Sequence, residues 1–160
     1  MSAVLVVLAL LTALALGGAL LAGIVVAGMR RGDPRIRRAV RRFNRDVVNP
    51  RALRSAGRRG AAFAVLRHRG RRTGRSYATP IGASTAEGGF IVALPYGADV
   101  HWLRNVQAAG SALLEVDGVE YRVDGPRVVP TAATRLAGDA AIRAFGVRSA
   151  VLLRAEPIAP

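Results

Sequence analysis

An uninterrupted run of hydrophobic positions opens the chain. Residues 3–28 carry no charged side chain, and Thr12 is the only polar side chain among them. At about 1.5 Å per residue, a helix of this length exceeds the hydrocarbon core of a bilayer, about 30 Å thick. A helix also pairs all of its own backbone amides, as lipid requires. The pattern predicts a transmembrane helix over residues 1–29. A cleavable signal peptide is the alternative, although no basic residue precedes the apolar run.

A second helical pattern follows over residues 30–54. Its apolar residues recur at spacings of four, three and four and therefore share one face: Ile36, Val40, Phe43 and Val47. Asp33 followed by Pro34 is typical of a helix start, and Pro50 is expected to end the helix. Arginines fill the remaining faces. The pattern predicts a basic juxtamembrane helix that lies on the bilayer, where each arginine gains about 1 kcal/mol from anionic headgroups.

From residue 55 onward the pattern becomes that of strands and turns. Apolar runs bounded by glycine or proline predict strands over residues 61–68, 77–83, 88–96 and 147–157. Alternation on both sides of the favoured turn Asp117-Gly118 predicts a hairpin over residues 112–123. Two short helices are predicted between strands: residues 99–110, capped by Asp99 and ended by Gly110, and residues 131–145. The expected fold is mainly β, a small closed or nearly closed barrel over residues 55–160.

Charge is concentrated in one third of the chain. Residues 30–75 hold 17 arginines and two acidic residues, whereas residues 76–160 hold 7 arginines and 8 acidic residues. Basic residues beside a span favour the cytoplasmic side. We therefore expect a single-pass protein of the cell membrane, with its folded domain in the cytoplasm and anionic lipids as partners. Nucleic-acid binding is the rival interpretation of an arginine-rich helix, and the neighbouring span favours lipid, so no nucleic-acid partner is expected.

The composition limits the chemistry and the assembly. The chain has no cysteine, which excludes disulfides and thiolate sites, and two histidines with scattered carboxylates argue against a metal site. The apolar helix carries a stripe of small residues that could pair two copies of the chain: Ala15, Ala19, Gly23 and Ala27. A homodimer is thus one expectation, and chance in an alanine-rich sequence is the other.

Candidate chemistry lies in the segment GRRTGR, residues 70–75, which we call the GRRTGR loop. Gly70 and Gly74 permit the tight backbone in which consecutive amides point at one anion. Thr73 adds a hydroxyl donor. The loop also carries positive charge on three residues: Arg71, Arg72 and Arg75. An ordinary turn between strands is the alternative interpretation.

Three segments together carry a family resemblance: GRRTGRSYATPIG, then GGFIVALPYGADVHWLRNVQAAG, then the strand pair that follows. In combination they resemble the nitroreductase-family deazaflavin-dependent oxidoreductases of actinobacteria, as a divergent branch. The resemblance extends from about Ala61 to the C-terminus. It implies a split β-barrel of the FMN-binding-like type with two short helices. It also implies coenzyme F-420 (8-hydroxy-5-deazaflavin) as the cofactor, with FMN as runner-up.

The resemblance also implies roles for individual residues. Arg72 and Thr73, together with their neighbours in the loop, would hold the cofactor's phosphate and acidic tail. The remaining cofactor residues would be Pro80, Ala93, Leu94, Pro95, Trp102 and Asn105. Many members of the family have Ser-Lys where this chain has Pro95-Tyr96, which removes a cation and a hydroxyl from that wall. Tyr96, just past a strand expected to face the ring, is the candidate proton donor, and Tyr77, His101 or water are the alternatives.

The function expected from these observations is hydride transfer at a membrane. A cofactor would carry the hydride chemistry, so the lack of a catalytic triad or a carboxylate pair is no obstacle. The expected reaction takes a hydride from the reduced deazaflavin coenzyme to a quinone, a nitro-type compound or another lipophilic acceptor. A non-catalytic barrel, tethered to the membrane and holding a cofactor or lipid, is the alternative.

Overall fold

One antiparallel sheet of seven strands forms the body of the fold, in a computed structural model that describes residues 3–158. In chain order the strands are β1 (Ala64–Arg69), β2 (Ser76–Ile81), β3 (Ala83–Ala86), β4 (Gly89–Ala93), β5 (Ser111–Val116), β6 (Val119–Pro130) and β7 (Ser149–Pro157). Across the sheet the order is β2-β1-β5-β6-β7-β4-β3. The predicted mainly-β class is confirmed. Residues 1, 2, 159 and 160, which the predicted helix and barrel include, lie outside the described residues.

The two edge strands of this sheet are consecutive in the chain. Only Gly82 separates the end of β2 from the start of β3, although these strands lie at opposite ends of the strand order. The sheet must therefore curl until its edges approach each other. A register shift in β6 between Asp124 and Arg127 bends this long strand, as a bulge does. The result is a half-barrel, consistent with the predicted split barrel.

The long N-terminal helix α1 (Ala3–Arg31) is apolar and long enough to cross a membrane. Its large side chains are exposed from Val4 to Ile24, a stretch of about 30 Å at 1.5 Å per residue. Its last turn differs, since Gly28 and Met29 are buried. A Cβ on Gly28 would lie 2.6 Å from a side-chain carbon of Ile36 in the next helix. The last turn of α1 therefore packs inside the folded protein.

A helical segment links α1 to the sheet through α2 (Pro34–Phe43), a π-helical turn (Asn44–Val48) and α3 (Asn49–Ala52). The predicted start is confirmed, because the Asp33 carboxylate accepts hydrogen bonds from the amides of Arg35 at 2.7 Å and Ile36 at 3.2 Å. The prediction that Pro50 ends the helix is wrong. Pro50 lies in the first turn of α3, where its missing N–H leaves no hydrogen bond unmade.

The inward face of α2 differs from the predicted one. Ile36, Val40 and Val47 are half-buried, but Phe43 of the same predicted face is 57% exposed. The π-helical turn begins directly after Phe43 and changes the helical period there. The arginines that remain exposed along this segment are Arg35, Arg38, Arg42, Arg45 and Arg51.

Helix α4 (His101–Ala109) covers the inner face of the sheet. Leu103 and Val106 of this helix are fully buried in a core with side chains from six strands. The strand residues in that core include Leu66, Ile81, Phe90, Val92, Leu114, Val123, Val151 and Leu153. Gly110 ends the helix with a φ of 78°, as predicted. The predicted cap is wrong, because Val100 occupies the cap position and Asp99 instead forms an ion pair with Arg104.

The predicted hairpin is confirmed. Asp117 and Gly118 have φ values of 54° and 80°, as a two-residue turn of this kind requires. Asp117 also accepts a hydrogen bond from the Gly60 amide at 2.7 Å, and Glu115 pairs with Arg67 at 2.9 Å. These two carboxylates therefore hold the hairpin to neighbouring segments instead of being merely solvated.

The predicted helix over residues 131–145 is wrong. β6 continues to Pro130, and two 3₁₀ turns (Thr131–Ala133 and Arg135–Gly138) then precede α5 (Ala140–Ala144). The Thr134 hydroxyl accepts from the Leu136 amide, and Asp139 accepts from the Ile142 amide at 2.9 Å. Each of these capping residues has an extended backbone and starts a new turn, so one continuous helix cannot form.

The pairing of β4 with β7 allows a test of the sheet. A Cβ added at Gly89 would overlap the Leu153 carbonyl oxygen, whereas one at Gly82 would meet nothing within 4 Å. We expect Gly89→Ala to lower the free energy of unfolding by about 1–3 kcal/mol, as overpacking does. Thermal unfolding of the full chain in detergent checks this, with Gly82→Ala as the matched control. Equal melting temperatures for the two variants would contradict the register.

Candidate functional site

The GRRTGR loop joins β1 to β2 and is closed by its own backbone. The Gly70 amide donates to the Arg75 carbonyl at 2.8 Å, and the Gly74 amide donates to the Gly70 carbonyl at 2.8 Å. Gly74 has a φ of 66°, a conformation that favours glycine. Gly70 is required for a different reason, because a Cβ there would lie 2.7 Å from the Tyr77 ring and 2.9 Å from the Thr73 hydroxyl. Both glycines therefore fix the shape of the loop.

Four of the six loop amides are engaged within the protein, and two consecutive amides remain for the predicted contact with an anion. In addition to the amides of Gly70 and Gly74, the Arg71 amide donates to Asn105 Oδ1 at 3.2 Å and the Arg75 amide donates to Thr73 Oγ1 at 3.4 Å. Of the six loop amides, those of Arg72 and Thr73 alone have no partner among the residues the structure describes. An anion at this loop would therefore be bound mainly by side chains.

Asn105 holds the loop against α4. Its Oδ1 accepts from the backbone amide of Arg71 at 3.2 Å and from the Arg71 guanidinium at 3.1 Å. Its amide nitrogen lies 3.2 Å from His68 Nδ1. Asn105 is only 6% exposed, so these contacts satisfy a buried amide group. The loop and α4 are therefore in direct contact, and Arg71 is the loop residue that makes this contact.

His68 is a residue that the sequence interpretation missed. Because Asn105 Nδ2 is a donor, His68 Nδ1 must accept, which places the imidazole proton on Nε2. That nitrogen lies 3.1 Å from Thr79 Oγ1 and donates to it. Burial lowers the pKa of His68, which keeps the ring neutral and this tautomer in place. Alternation in β1 could have revealed it, since His68 shares a face with buried Leu66.

Thr79, on the edge strand β2, is the last residue of this hydrogen-bond network. Its hydroxyl oxygen accepts from His68, so the hydroxyl proton stays available for another acceptor. Thr79 is half-buried, and Tyr77 on the same face stacks on the His68 ring at 5.8 Å between centroids. The chain of contacts from Arg71 through Asn105 and His68 therefore ends in a hydroxyl donor near the surface.

Two loop arginines keep their charge available. Arg72 and Arg75 are exposed, and within residues 3–158 their guanidinium groups form no ion pair and no hydrogen bond. Thr73 is also exposed, and its hydroxyl accepts from the Arg75 amide, which leaves its proton to donate. Two guanidinium groups and one hydroxyl donor suit a phosphate or a carboxylate. This donor set fits the anionic portion of a cofactor.

The predicted strand-end residues lie on other parts of the sheet. Pro80 is half-buried on the edge strand β2, opposite Val65 of β1. Ala93 ends β4 and is also half-buried, and Pro95 is half-buried just beyond it. Leu94 is 3% exposed in the core, so its side chain cannot face a cofactor, although its backbone can.

Tyr96 contacts the basic helical segment. The side-chain amide of Asn44 donates to its hydroxyl oxygen, and the Arg41 guanidinium lies 5.9 Å from the centre of its ring. Burial raises the pKa of Tyr96, so its hydroxyl stays protonated at neutral pH. Because the oxygen accepts from Asn44, the phenolic proton is available to donate. The Arg41 guanidinium and the Tyr96 hydroxyl therefore supply a cation and a hydrogen-bond donor at Pro95-Tyr96. The family resemblance had implied that a cation and a hydroxyl are missing there.

Neither Trp102 nor the GRRTGR loop lines the cavities of about 640 Å³ and 290 Å³ in the described part of the chain. Trp102 is half-buried and packs against the core on the same helix as Asn105. One cavity of about 640 Å³ lies beside the β3–β4 turn, and another of about 290 Å³ lies at the end of α1. None of the predicted cofactor residues lines either of them. The GRRTGR loop therefore does not form the wall of either cavity.

Comparison with known proteins identifies a family. The model of the family described as "F420H(2)-dependent quinone reductase" matches residues 33–144. No protein among the curated sequences matches the chain. One solved structure, titled "F420 Reductase", is similar at 13% identity, covering 66% of this chain and 92% of its own, with a TM-score of 0.41. Another is 18% identical over 68% of this chain and 78% of its own, also with a TM-score of 0.41. The assignment rests on the family match.

The neutral state of His68 predicts a pH dependence. In the unfolded chain its ring binds a proton below pH about 6.5, whereas burial lowers the folded-state pKa. The unfolded chain thus binds more protons as the pH falls below about 6.5, and stability decreases by up to about 1.4 kcal/mol per pH unit until the folded-state pKa is reached. Melting temperatures between pH 7.5 and 5.5 measure this decrease, above the range where carboxylates titrate.

The control for this experiment compares the two histidines of the chain. His68→Gln should remove most of the decrease in stability, while His101→Gln at an exposed helix start should retain it. The same pH dependence in wild type and His68→Gln would show that His68 is not the titrating group.

Proposed function

This chain belongs to the F420H(2)-dependent quinone reductase family, and from that membership we propose a membrane-anchored enzyme that reduces a lipophilic quinone. The family makes the chain an oxidoreductase with coenzyme F-420 as its cofactor. The anchor, the lipophilic acceptor and the residue roles below are parts of the proposal. The observation that carries it is the GRRTGR loop, fixed on α4 while two of its arginines remain exposed.

The loop is proposed to bind the anionic part of the cofactor. Coenzyme F-420 carries a phosphodiester and an acidic tail, for which Arg72, Arg75 and the Thr73 hydroxyl are suitable donors. Arg71 has a positioning role instead, because its guanidinium and amide are engaged by Asn105. The neighbouring cofactor surface would be formed by Gly74, Pro80, Ala93, Pro95, Trp102 and the backbone of Leu94. The bound cofactor would supply the hydride.

Tyr96 is proposed to supply the proton. Reduction of a quinone to a quinol consumes one hydride and one proton, so a proton donor is needed besides the cofactor. The Tyr96 hydroxyl remains protonated because burial raises its pKa, and its oxygen is oriented by Asn44. After donation, the phenolate would be stabilised by Arg41, which lies over the ring, until solvent returns the proton.

Helix α1 supports the membrane part of the proposal. Its exposed apolar stretch from Val4 to Ile24 matches the thickness of a hydrocarbon core. The exposed arginines of α2 would face anionic headgroups on the cytoplasmic side, following the positive-inside rule. Tethering would hold the domain beside a pool of lipid-soluble quinone and so raise its local concentration.

The reaction itself is tested with the full chain in phosphatidylcholine vesicles. We expect loss of the absorbance of reduced coenzyme F-420 when menadione or a long-chain menaquinone is added. Arg72→Ala should weaken cofactor binding by about 1.5–3 kcal/mol, the range for a charged hydrogen-bond partner. Fluorescence quenching on titration with the coenzyme measures that affinity.

Arg122→Ala is the matched control for Arg72→Ala. Arg122 is an exposed arginine on β6, away from the loop, and its removal changes the net charge by the same amount. Equal affinity losses in both variants would mean that the loop contributes only general charge. Absence of coenzyme oxidation above the buffer blank with every acceptor would refute the reductase assignment.

Tyr96→Phe tests the proton donor. The variant keeps the ring beneath Arg41 and removes only the hydroxyl. We expect kcat to fall about 10–100-fold, within the range for loss of a general acid, with coenzyme affinity unchanged. Stopped-flow measurement of a single turnover separates the chemical step from binding. An unchanged single-turnover rate would assign proton delivery to water.

A further inference from the structure

A second basic site lies where α1 meets the C-terminal part of the domain. The cavity of about 290 Å³ is lined by Arg30 from the last turn of α1 and by Arg143 and Arg148 from the segment around α5. No carboxylate lines it, so every charged group at its wall is positive. None of these residues belongs to the predicted cofactor site.

The polar side chains of this cavity have no hydrogen-bond or ion-pair partners among the described residues. Within residues 3–158, the five ion pairs involve other arginines, and none of Arg30, Arg143 and Arg148 donates a side-chain hydrogen bond. Thr131 also lines the cavity and is 4% exposed, and its hydroxyl oxygen is buried without a hydrogen-bond partner. A buried hydroxyl without a partner is costly and therefore rare. The wall thus offers three cations and one hydroxyl to a ligand that the described residues do not supply.

The fold builds this cavity by close backbone contact. Gly146 has a φ of 63°, and a Cβ there would lie 3.0 Å from the Cα of Arg30. The segment from Gly146 to Arg148 therefore packs directly on the end of α1. The Thr131 amide donates to the Arg148 carbonyl at 2.9 Å, which fixes the opposite side. The arginines consequently extend from a rigid frame and not from a flexible tail.

The position along α1 indicates the depth of the cavity in a membrane. The exposed apolar side chains of α1 end at Ile24, and Arg30 lies six residues later, about 9 Å further along the helix axis. The polar headgroup region of each leaflet is about 5–8 Å thick. With α1 in the bilayer, Arg30 would lie at the outer edge of the headgroup region, from which long arginine side chains can extend toward the lipid phosphates.

We propose that this cavity binds the phosphate group of an anionic membrane phospholipid. The arginines would contact the phosphate oxygens, and the Thr131 hydroxyl would donate to one of them. The apolar lining could contact the glycerol and first acyl carbons: Ala132, Ala137, Ile142 and Val147. One bound lipid would thereby join α1 to the C-terminal segment and fix the orientation of the domain. The proposal shares with the proposed function only the placement of α1 in a membrane.

The test measures lipid retention by the full chain. Protein extracted in mild detergent from bilayers that contain phosphatidylglycerol and phosphatidylcholine is analysed by native mass spectrometry. We expect preferential phosphatidylglycerol adducts. Arg143→Gln combined with Arg148→Gln should lower that affinity roughly 30-fold, because each arginine beside an anionic headgroup contributes about fivefold. Arg58→Gln combined with Arg59→Gln, an exposed pair outside the cavity, should not lower it.

A second arm separates lipid from free phosphate. Calorimetric titration with inorganic phosphate in detergent should give much weaker binding than phosphatidylglycerol does. Strong phosphate binding without a preference for phosphatidylglycerol would overturn the lipid assignment, as would equal lipid retention in the two double variants. Coenzyme F-420 binding, measured on the same preparations, should be normal in the Arg143/Arg148 variant. A failure of the lipid proposal is therefore distinguishable from a failure of the reductase proposal.

Thr131→Val provides an independent check on the cavity. Valine has the shape of threonine without the hydroxyl, so removing a buried hydroxyl that lacks a partner should leave the melting temperature equal or higher. The same change should weaken phosphatidylglycerol retention severalfold if the hydroxyl donates to the lipid phosphate. Unchanged retention with a lowered melting temperature would show that the hydroxyl is paired within the protein, against the proposal.

Discussion

The arrangement of the candidate site depends on one buried amide side chain, that of Asn105. A buried amide that loses its partners costs about 1–3 kcal/mol, so its hydrogen bonds constrain the groups around it. Asn105 accepts two hydrogen bonds from Arg71 and donates one to His68. Three elements therefore meet at this residue: the GRRTGR loop, helix α4 and strand β1. Because the loop is held in this way, its other arginines can face solvent without being flexible as a unit.

The arginines of this protein fall into two groups. Some pair with carboxylates within the fold, and others have no carboxylate partner among the described residues. Arg67, Arg104 and Arg154 pair with carboxylates and join neighbouring elements. Arg72 and Arg75 on the GRRTGR loop have no such partners among the described residues. The arginines at the end of α1 form a second unpaired set. Both sets suit phosphate, but one lies on an exposed loop beside α4 and the other lines a cavity at the end of α1.

The end of α1 couples the helix to the domain. Met29 is 3% exposed, and a Cβ at Gly146 would lie only 3.0 Å from the Cα of Arg30. The helix thus enters the folded domain directly, without an intervening linker. α2 then continues from Asp33 and places Arg41 and Asn44 against Tyr96. The basic segment consequently contributes to the protein surface at the end of β4.

The sequence alone determined the features that depend on neighbouring residues. The apolar length of α1, the cap at Asp33, the Asp117-Gly118 turn and the end of α4 at Gly110 follow from local periodicity and backbone preference. Predictions from local patterns were wrong where two local backbone preferences compete. Thr134 and Asp139 restart the chain in short turns where a helix was predicted, and Pro50 begins a helical turn where an end was predicted.

Tertiary structure alone decided which groups of the candidate site are paired and which are not. The sequence identified the loop and Asn105, but it could not show that Arg71 is engaged by Asn105 and that Arg72 is not. It also could not show that His68 is buried and neutral. The partners of these groups lie 34 and 37 residues away in the chain. A hydrogen bond between distant residues depends on which elements the core brings together, and no local pattern contains that information.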